Sequence, residues 1–298
     1  MIAVLIGITS ALVFGAADFL GGLGAARISP LRVTAISAAS GLVILLGATT
    51  FIDGTVSSEA VVLGALSGVT GAIAISLLYA CLAIGPMSIL SPLTAVVSAI
   101  VPLTVGLVQG ERLRPIGYVA IVLALVAVVL VGFVREKNAV RPSLTALLMA
   151  IGSGTMIGVF LVIIDLTPDN SGLVPLVANR AVTATLMVLA VGAVWWWMRR
   201  RHPSGVGDQA SPTIGIARSG WRAGLGFAIA CGVVDSVANA GLLLGLRLGE
   251  LSVMSVLTAL YPAGTIVLAA VVLRERIAVV QYVGLALAIG SAGLLALA

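Results

Sequence analysis

The chain has 298 residues, of which 60% are hydrophobic and only 9% are charged. Soluble domains carry about 25% charged residues, so this composition excludes a water-soluble fold and predicts an integral membrane protein. The net charge of +5 arises mainly in short connectors, where basic residues indicate membrane topology and contacts with anionic lipid headgroups. No nucleic-acid partner is expected.

Ten apolar segments are long enough to cross a bilayer, which takes about 20 residues in a helix. In chain order they are residues 2–26, 33–52, 60–82, 87–109, 115–134, 143–164, 173–197, 221–246, 251–273 and 277–298. The first segment lacks a basic leader and is too long for a signal peptide, so we expect it to be retained. The connector 199–220 contains three consecutive arginines, prolines and glycines, which predict a surface loop.

One stretch of the sequence occurs twice, at residues 85–118 and 249–282, and the two copies align without a gap. Each copy is an apolar helix that ends in Glu-Arg and is followed at once by another apolar helix. Polar residues that chance would not match are shared as Gly85/Gly249, Ser88/Ser252, Ser91/Ser255, Thr94/Thr258, Glu111/Glu275, Arg112/Arg276 and Tyr118/Tyr282. Such duplication is typical of transporters built from two related halves.

The duplication divides the chain into one five-helix repeat at residues 1–135 and another at 142–298. Because five is an odd number, the second half enters the membrane upside down relative to the first. The predicted fold class is therefore all-α integral membrane, with ten transmembrane helices as two inverted five-helix repeats. The spacing of Gly64/Gly68 and Gly154/Gly158 predicts close contacts between helices.

The distribution of basic residues predicts the orientation. One side carries Arg27, Arg32, Arg135, Lys137, Arg141, Arg199, Arg200, Arg201, Arg218, Arg222, Arg274 and Arg276, and the opposite side carries Arg112, Arg114 and Arg247. The positive-inside rule then places both termini outside. We expect a multi-pass protein of the plasma membrane, which in a bacterium is the inner membrane.

The paired segments resemble those of the drug/metabolite transporter superfamily, of the EamA type. The resemblance rests on Pro102…Glu111-Arg112…Tyr118 and Tyr261-Pro262…Glu275-Arg276…Tyr282, on the five-plus-five layout, and on the Phe14-Gly15-Ala16-Ala17-Asp18-Phe19 stretch. It implies secondary transport of small metabolites by alternating access through a central cavity. The sequence departs from the family in having Phe14 for the usual tryptophan and Asp18 where a neutral polar residue is common, which bears on substrate charge.

Charged residues inside apolar segments are the sharpest functional signal, because each costs about 3 kcal/mol at the bilayer centre. Asp18 lies in the first segment, and Asp235 lies in the eighth with Asn239 one helical turn further on. One hypothesis is a cavity pair that binds a cationic substrate, a proton, or each in turn. The alternative is that serines, backbone groups or an arginine, such as Arg27 for Asp18, satisfy these carboxylates.

Arg180 in the seventh segment has two interpretations. Its side chain would extend to the membrane interface, or it would lie in the cavity as a cation for an anionic group. A carboxylate partner would reconcile a cavity arginine with a cationic substrate.

Polar and aromatic side chains add candidate substrate contacts. They are Ser91, Thr94, Ser255 and Thr258 on the repeated helices, and Phe14, Tyr79 and Tyr261 as cavity walls that a cation would favour. Pro92, Pro102 and Pro262 each free a backbone carbonyl, as in broken helices that line cavities. The hydroxyl groups could instead form ordinary hydrogen bonds between helices.

Glu111, Arg112, Glu275 and Arg276 end the two repeated helices at equivalent positions, which inversion would place on opposite membrane faces. They are predicted either as gates, one for each side, or as interfacial anchors and local ion pairs.

The sequence favours a secondary active transporter, not an enzyme, for a small metabolite that is cationic or resembles an amine or amino acid. The lipid bilayer is its surroundings, and coupling to protons is left open. A flippase for lipids or lipid-linked sugars is the alternative, and a membrane-embedded enzyme is a weaker one, because the lone His202 lies in a loop and the acids are separated. No cofactor or metal is expected, and the substrate, direction, coupling ion and oligomeric state are not specified.

Overall fold

A computed structural model of the chain describes residues 1–84, 86–132, 142–201, 221–274 and 277–297. The helices are α1 Ile2–Ala25, α2 Pro30–Ala48, α3 Ser58–Ile84, α4 Met87–Val108, α5 Pro115–Gly132, α6 Leu144–Asp165, α7 Val174–Arg201, α8 Trp221–Leu248, α9 Leu251–Thr258, α10 Tyr261–Val272 and α11 Val279–Leu297. A short 3-10 turn, Asp169–Ser171, precedes α7.

The predicted fold class of ten transmembrane helices is confirmed, with α9 and α10 together forming the ninth span. Apolar side chains face outward on many helices: Val43, Val122, Leu189 and Ile289 are 61–75% exposed. Lipid takes the place of water around this surface, so outward apolar residues carry no penalty.

Local sequence signals explain where helices begin. Pro30 opens α2, where its missing N–H would have no partner in any case. Ser143 precedes α6, and its hydroxyl accepts a hydrogen bond from the Ala146 N–H at 3.2 Å. These signals explain why most predicted boundaries lie within a few residues of the observed ones.

The predicted single helix at residues 251–273 is wrong in one respect, since it is interrupted between α9 and α10. Pro262 has no N–H to give to the carbonyl of Thr258, and the Leu260 N–H bonds to Leu257 O at 3.1 Å in a tighter turn. In the first copy of the repeat, α4 continues through both Pro92 and Pro102. The two copies therefore differ in shape at equivalent positions.

The helices of the two predicted halves are interleaved. α1 packs along α8 as α6 packs along α3, and α2 packs against α8 as α7 packs against α3. α4 contacts α6 as α9 and α10 contact α1. In addition, helices at equivalent places in the two halves pack on each other: α5 on α11, α2 on α7, and α4 on α9. Two related halves would produce this pattern, and their inverted relation stays a prediction.

Close helix contacts depend on the predicted glycine pairs. A Cβ on Gly64 would lie 2.3 Å from Pro175 O, and one on Gly68 would lie 2.6 Å from Asn179 O. In a different contact, that of α6 with α4, a Cβ on Gly154 would lie 2.6 Å from Thr94 O. The backbones therefore touch where a side chain would separate them.

We expect Gly68→Ala to lower the free energy of unfolding by about 2 kcal/mol, because the new methyl group would press on the backbone of α7. The control is Gly71→Ala on the same helix, where an added Cβ has nothing within 4 Å and helix propensity improves slightly. Thermal unfolding in detergent measures both, and an equal effect of the two variants would contradict the contact.

Candidate functional site

A partly buried ion pair joins the membrane spans α7 and α8. The Arg180 guanidinium donates a hydrogen bond to Oδ2 of Asp235, the only salt bridge among the described residues. The two side chains are 13% and 23% exposed. Asn239 donates to the backbone oxygen of Asp235 at 2.8 Å, and its Nδ2 lies 3.3 Å from Oδ2. Arg180 therefore does not extend to the membrane interface. Its pairing with Asp235 neutralises its charge, so an arginine at this place is compatible with a cationic substrate.

Small residues of α2 and α8 make room for this pair. A Cβ on Gly41 would lie 2.5 Å from Ser236 Oγ and 3.6 Å from Cδ of Arg180. A Cβ on Gly232 would lie 2.1 Å from Ser37 O. Because Gly41 has no side chain, the aliphatic part of Arg180 lies directly against the backbone of α2.

Asp18 lies beside this pair but has a different environment. Its side chain is exposed, and it lies within electrostatic range of Asp235 in α8 and of Tyr261 at the start of α10. The alternative partner Arg27 does not reach it: that guanidinium lies 4.6 Å from the Phe227 ring centre and 3.4 Å from Leu23 O. Asp18 is thus an exposed carboxylate of α1, on a helix that packs against both α8 and α10.

The start of α10 is held against α1 one turn before Asp18. A Cβ on Gly15 would lie 2.6 Å from Tyr261 O, and the Thr265 hydroxyl donates to Gly15 O at 3.1 Å. This contact brings Tyr261 to the acid. Phe14 instead packs against the apolar cluster that includes Leu45 and Leu242.

The predicted polar stripes do not all line one site. The Thr94 hydroxyl bonds to Leu90 O at 2.9 Å and to Ala150 O at 3.2 Å, so it joins α4 to α6. The buried Ser255 hydroxyl bonds to Ser252 O at 2.9 Å. Ser91 is half-buried. Tyr79 belongs to α3, and its side chain lies outside what the structure describes.

Thr258 is different from these residues. Its Oγ1 is buried without a hydrogen-bond partner, the one hydroxyl in that state in the described part of the chain. It lies at the end of α9, where the helix is interrupted. A buried hydroxyl without a partner costs about 1–3 kcal/mol, so this position is suited to a hydrogen bond with a polar group of a substrate.

We expect Thr258→Val to raise the free energy of unfolding of the ligand-free protein by about 1 kcal/mol, because it removes an unpaired polar atom and keeps the volume. Thr94→Val at the equivalent repeat position removes a hydroxyl that is bonded, and should lower stability by about 1 kcal/mol. Chemical or thermal unfolding of both variants tests the contrast; a loss of stability in both would show that Thr258 has a partner.

Glu111, which follows the end of α4, contacts the backbone at the start of α9 and not the side chain of a neighbouring arginine. Its two carboxylate oxygens accept hydrogen bonds from the backbone N–H groups of Leu251 at 2.8 Å and Ser252 at 3.0 Å, at the start of α9. It forms no ion pair with Arg112, which lies at a small crevice together with Glu250. The corresponding Glu275 and Arg276 lie outside the described residues.

Further contacts join connectors at the same end of the bundle. Thr55 N–H donates to Asn170 O at 2.8 Å, and Arg247 donates to Ser171 Oγ and Gly172 O at 3.0 Å each. Gly172 has φ of +54°, which favours glycine, and its Cα would lie 2.9 Å from a Cβ on Gly54. This end is therefore closely packed.

A groove of about 530 Å³ lies between α2, α3 and α7, and its lining is Leu46, Thr49, Ile52, Gly54, Val56, Val61, Leu173, Val174, Val177 and Ala178. No acidic or basic residue lines it. None of its lining residues belongs to the cluster of Asp18, Arg180 and Asp235, so the groove is separate from that site.

In the described residues, ten apolar helical spans with an ion pair and a further acid inside them define a polytopic membrane protein. Residues 1–133 and 144–297 match the model of the EamA-like transporter family, so the chain belongs to that family, a branch of the drug/metabolite transporters.

A solved structure described as "Crystal structure of protein" is 19% identical, with a TM-score of 0.73 over 99% of this chain and 98% of that chain. At this identity the likeness shows the fold alone. A comparison with curated proteins finds no match.

Proposed function

We propose that the protein is a secondary active transporter that moves a small cationic or amine-bearing metabolite by alternating access, with Asp18 as the group that binds it. The observation that carries this proposal is the accessible Asp18 carboxylate beside the neutralised Arg180–Asp235 pair. Two acids and one base leave a single negative charge to be compensated inside the membrane.

The uncompensated charge of Asp18 favours the exchange of a proton for an organic cation. An uncompensated carboxylate at this depth is costly, and either a proton or an organic cation relieves the cost. Because both would occupy the same group, binding of one displaces the other, which supports proton-coupled transport. Tyr261 adds an aromatic wall next to Asp18, as a cation prefers.

An amino-acid-like substrate is also compatible with this arrangement. Its ammonium group would bind Asp18, and its carboxylate would compete with Asp235 for Arg180. The unpaired Thr258 hydroxyl offers a further contact. The substrate class is thus narrowed to molecules with a positive group, with or without a carboxylate.

The flippase alternative is less well supported. It needs a lateral opening that contains a basic group for a phosphate. The groove between α2, α3 and α7 has no basic residue in its lining, and Arg180 is paired with Asp235.

The proposal also includes topology: a plasma-membrane protein with both termini outside and the arginine-rich end inside. In this orientation the closely packed end at Glu111 faces outward. Access to Asp18 is then from the inner side, at the end where Arg27 contacts Phe227.

The experiment is a thermal-shift screen on purified protein with primary amines, polyamines, amino acids and neutral metabolites of similar size. Amine-bearing compounds should raise the melting temperature and release protons into a weakly buffered solution. Asp18→Asn should abolish both effects, whereas Asp53→Asn in an exposed connector should abolish neither. Stabilisation by neutral or anionic compounds alone, unchanged in Asp18→Asn, would overturn the proposal.

A further inference from the structure

We propose that Glu111 is the latch that holds one end of the transport path shut, through the backbone at the start of α9, and that this end opens only when the carboxylate leaves. The inference rests on the alternating access proposed above. In this proposal, the closed end is stabilised by hydrogen bonds from the backbone at the start of α9 to the Glu111 carboxylate, and not by an ion pair between two side chains.

The contact combines two favourable terms. A carboxylate that accepts two backbone N–H groups makes charge-assisted hydrogen bonds, and the start of a helix carries partial positive charge. Glu250 occupies the cap position of α9, but its own side chain makes no capping hydrogen bond. A residue from a distant part of the chain therefore supplies the cap that α9 lacks.

The local sequence fixes Glu111 in this position. Gly110 has φ of +100°, and the Glu111 N–H bonds back to Gly106 O at 3.1 Å, which is the geometry of a glycine-terminated helix end. A Cβ on Gly106 would lie 2.3 Å from Glu111 Oε2 and 2.5 Å from Ser252 Oγ. The two glycines thus bring the carboxylate onto α9 at short range.

The contact crosses between the parts of the chain that must separate. Glu111 follows α4 in residues 1–133, and α9 belongs to residues 144–297. α4 and α9 pack on each other, so opening this end requires their ends to part. When the ends part, the N–H groups of Leu251 and Ser252 lose the Glu111 carboxylate as their acceptor. The cap residue Glu250 does not replace it, because its side chain makes no capping hydrogen bond.

Glu250 lies next to the contact between Glu111 and α9 but takes no part in it. Its side chain is exposed, and partial burial together with the nearby Glu111 charge raises its pKa above the usual range. It lies beside the same helix end but makes no cap. Glu250→Gln therefore removes an equal charge at the same place and leaves the latch intact.

The test uses amide hydrogen exchange and cysteine labelling in the full-length protein. Glu111→Gln should accelerate exchange at the Leu251 and Ser252 amides about tenfold, because the charged acceptor is lost. In a Cys81→Ser, Cys231→Ser background, the thiol of Thr258→Cys takes the place of a buried hydroxyl. With Glu111→Gln added, this thiol should react about tenfold faster with an impermeant maleimide added from the Glu111 end. Glu250→Gln should change neither rate.

Unchanged exchange and labelling in a folded Glu111→Gln variant would overturn the latch. If that variant does not fold, Glu111→Asp keeps the charge but shortens its reach, and an absence of faster exchange there would have the same meaning. The two proposals fail separately: a latch without transport gives faster labelling but no amine-dependent stabilisation. Transport without this latch gives amine-dependent stabilisation and rates that Glu111→Gln does not alter.

Discussion

Arg180→Gln is expected to lower the free energy of unfolding by about 3 kcal/mol, because it leaves the partly buried Asp235 carboxylate without its partner. Asp235→Asn leaves a partly buried cation without its partner and should cost a similar amount. The double variant Arg180→Gln/Asp235→Asn should recover most of the loss, since neither charge of the pair remains. Unfolding in detergent measures all three.

The control for this cycle is Arg114→Gln, which removes an exposed arginine from a connector and should have little effect. The recovery in the double variant is the diagnostic result. Simple addition of the two single losses would contradict the pair, because independent residues behave additively.

Asp18→Asn is expected to reduce amine transport to the background rate while the protein folds normally. Asp18 has no ion-pair partner among the described residues, so removal of its charge breaks no bond that stabilises the fold. Because a carboxylate is unfavourable at this depth, the variant should melt at the same temperature or higher. Uptake into proteoliposomes, followed with a labelled amine that the thermal-shift screen selects, measures the effect.

The matched control is Asp53→Asn, an acid outside the helices that should transport normally. Asp235→Asn should also lose transport, but with the loss of stability described above. Normal amine transport by Asp18→Asn would remove this carboxylate from the mechanism.

The helices could be predicted from the sequence because apolar segments of membrane length and their turn residues are local features. The interruption between α9 and α10 could not. Pro92 and Pro102 lie inside a continuous helix, whereas Pro262 coincides with a break, so a proline alone does not decide the outcome. The difference lies in packing, for example the close contact of Tyr261 with Gly15.

The sequence identified both intramembrane acids, but it could not assign their partners. Arg180 and Asp235 are on different helices, and their pairing depends on how α7 and α8 meet α2. The small residues Gly41 and Gly232, which allow that approach, were not singled out, although their small-residue spacing with Ser37 and Ser236 was a usable signal.

The role of Glu111 shows a second limit. Its place in the repeat predicted a gate or an ion pair with a neighbour, and the observed partners are backbone N–H groups. Backbone groups are present at every residue, so no sequence pattern distinguishes those of Leu251 and Ser252. The preceding Gly110 was the local sign that the helix would end there.

The most direct test of the central claim is the aqueous accessibility of position 18. A cysteine at this position, in a background without Cys81 and Cys231, is exposed to a charged, impermeant thiol reagent added to either side of oriented vesicles. We predict that the thiol of Asp18→Cys reacts with the reagent added from the arginine-rich side and not with the reagent added from the opposite side. Reaction only with a lipid-soluble reagent, and with the aqueous reagent from neither side, would contradict a substrate cavity at Asp18.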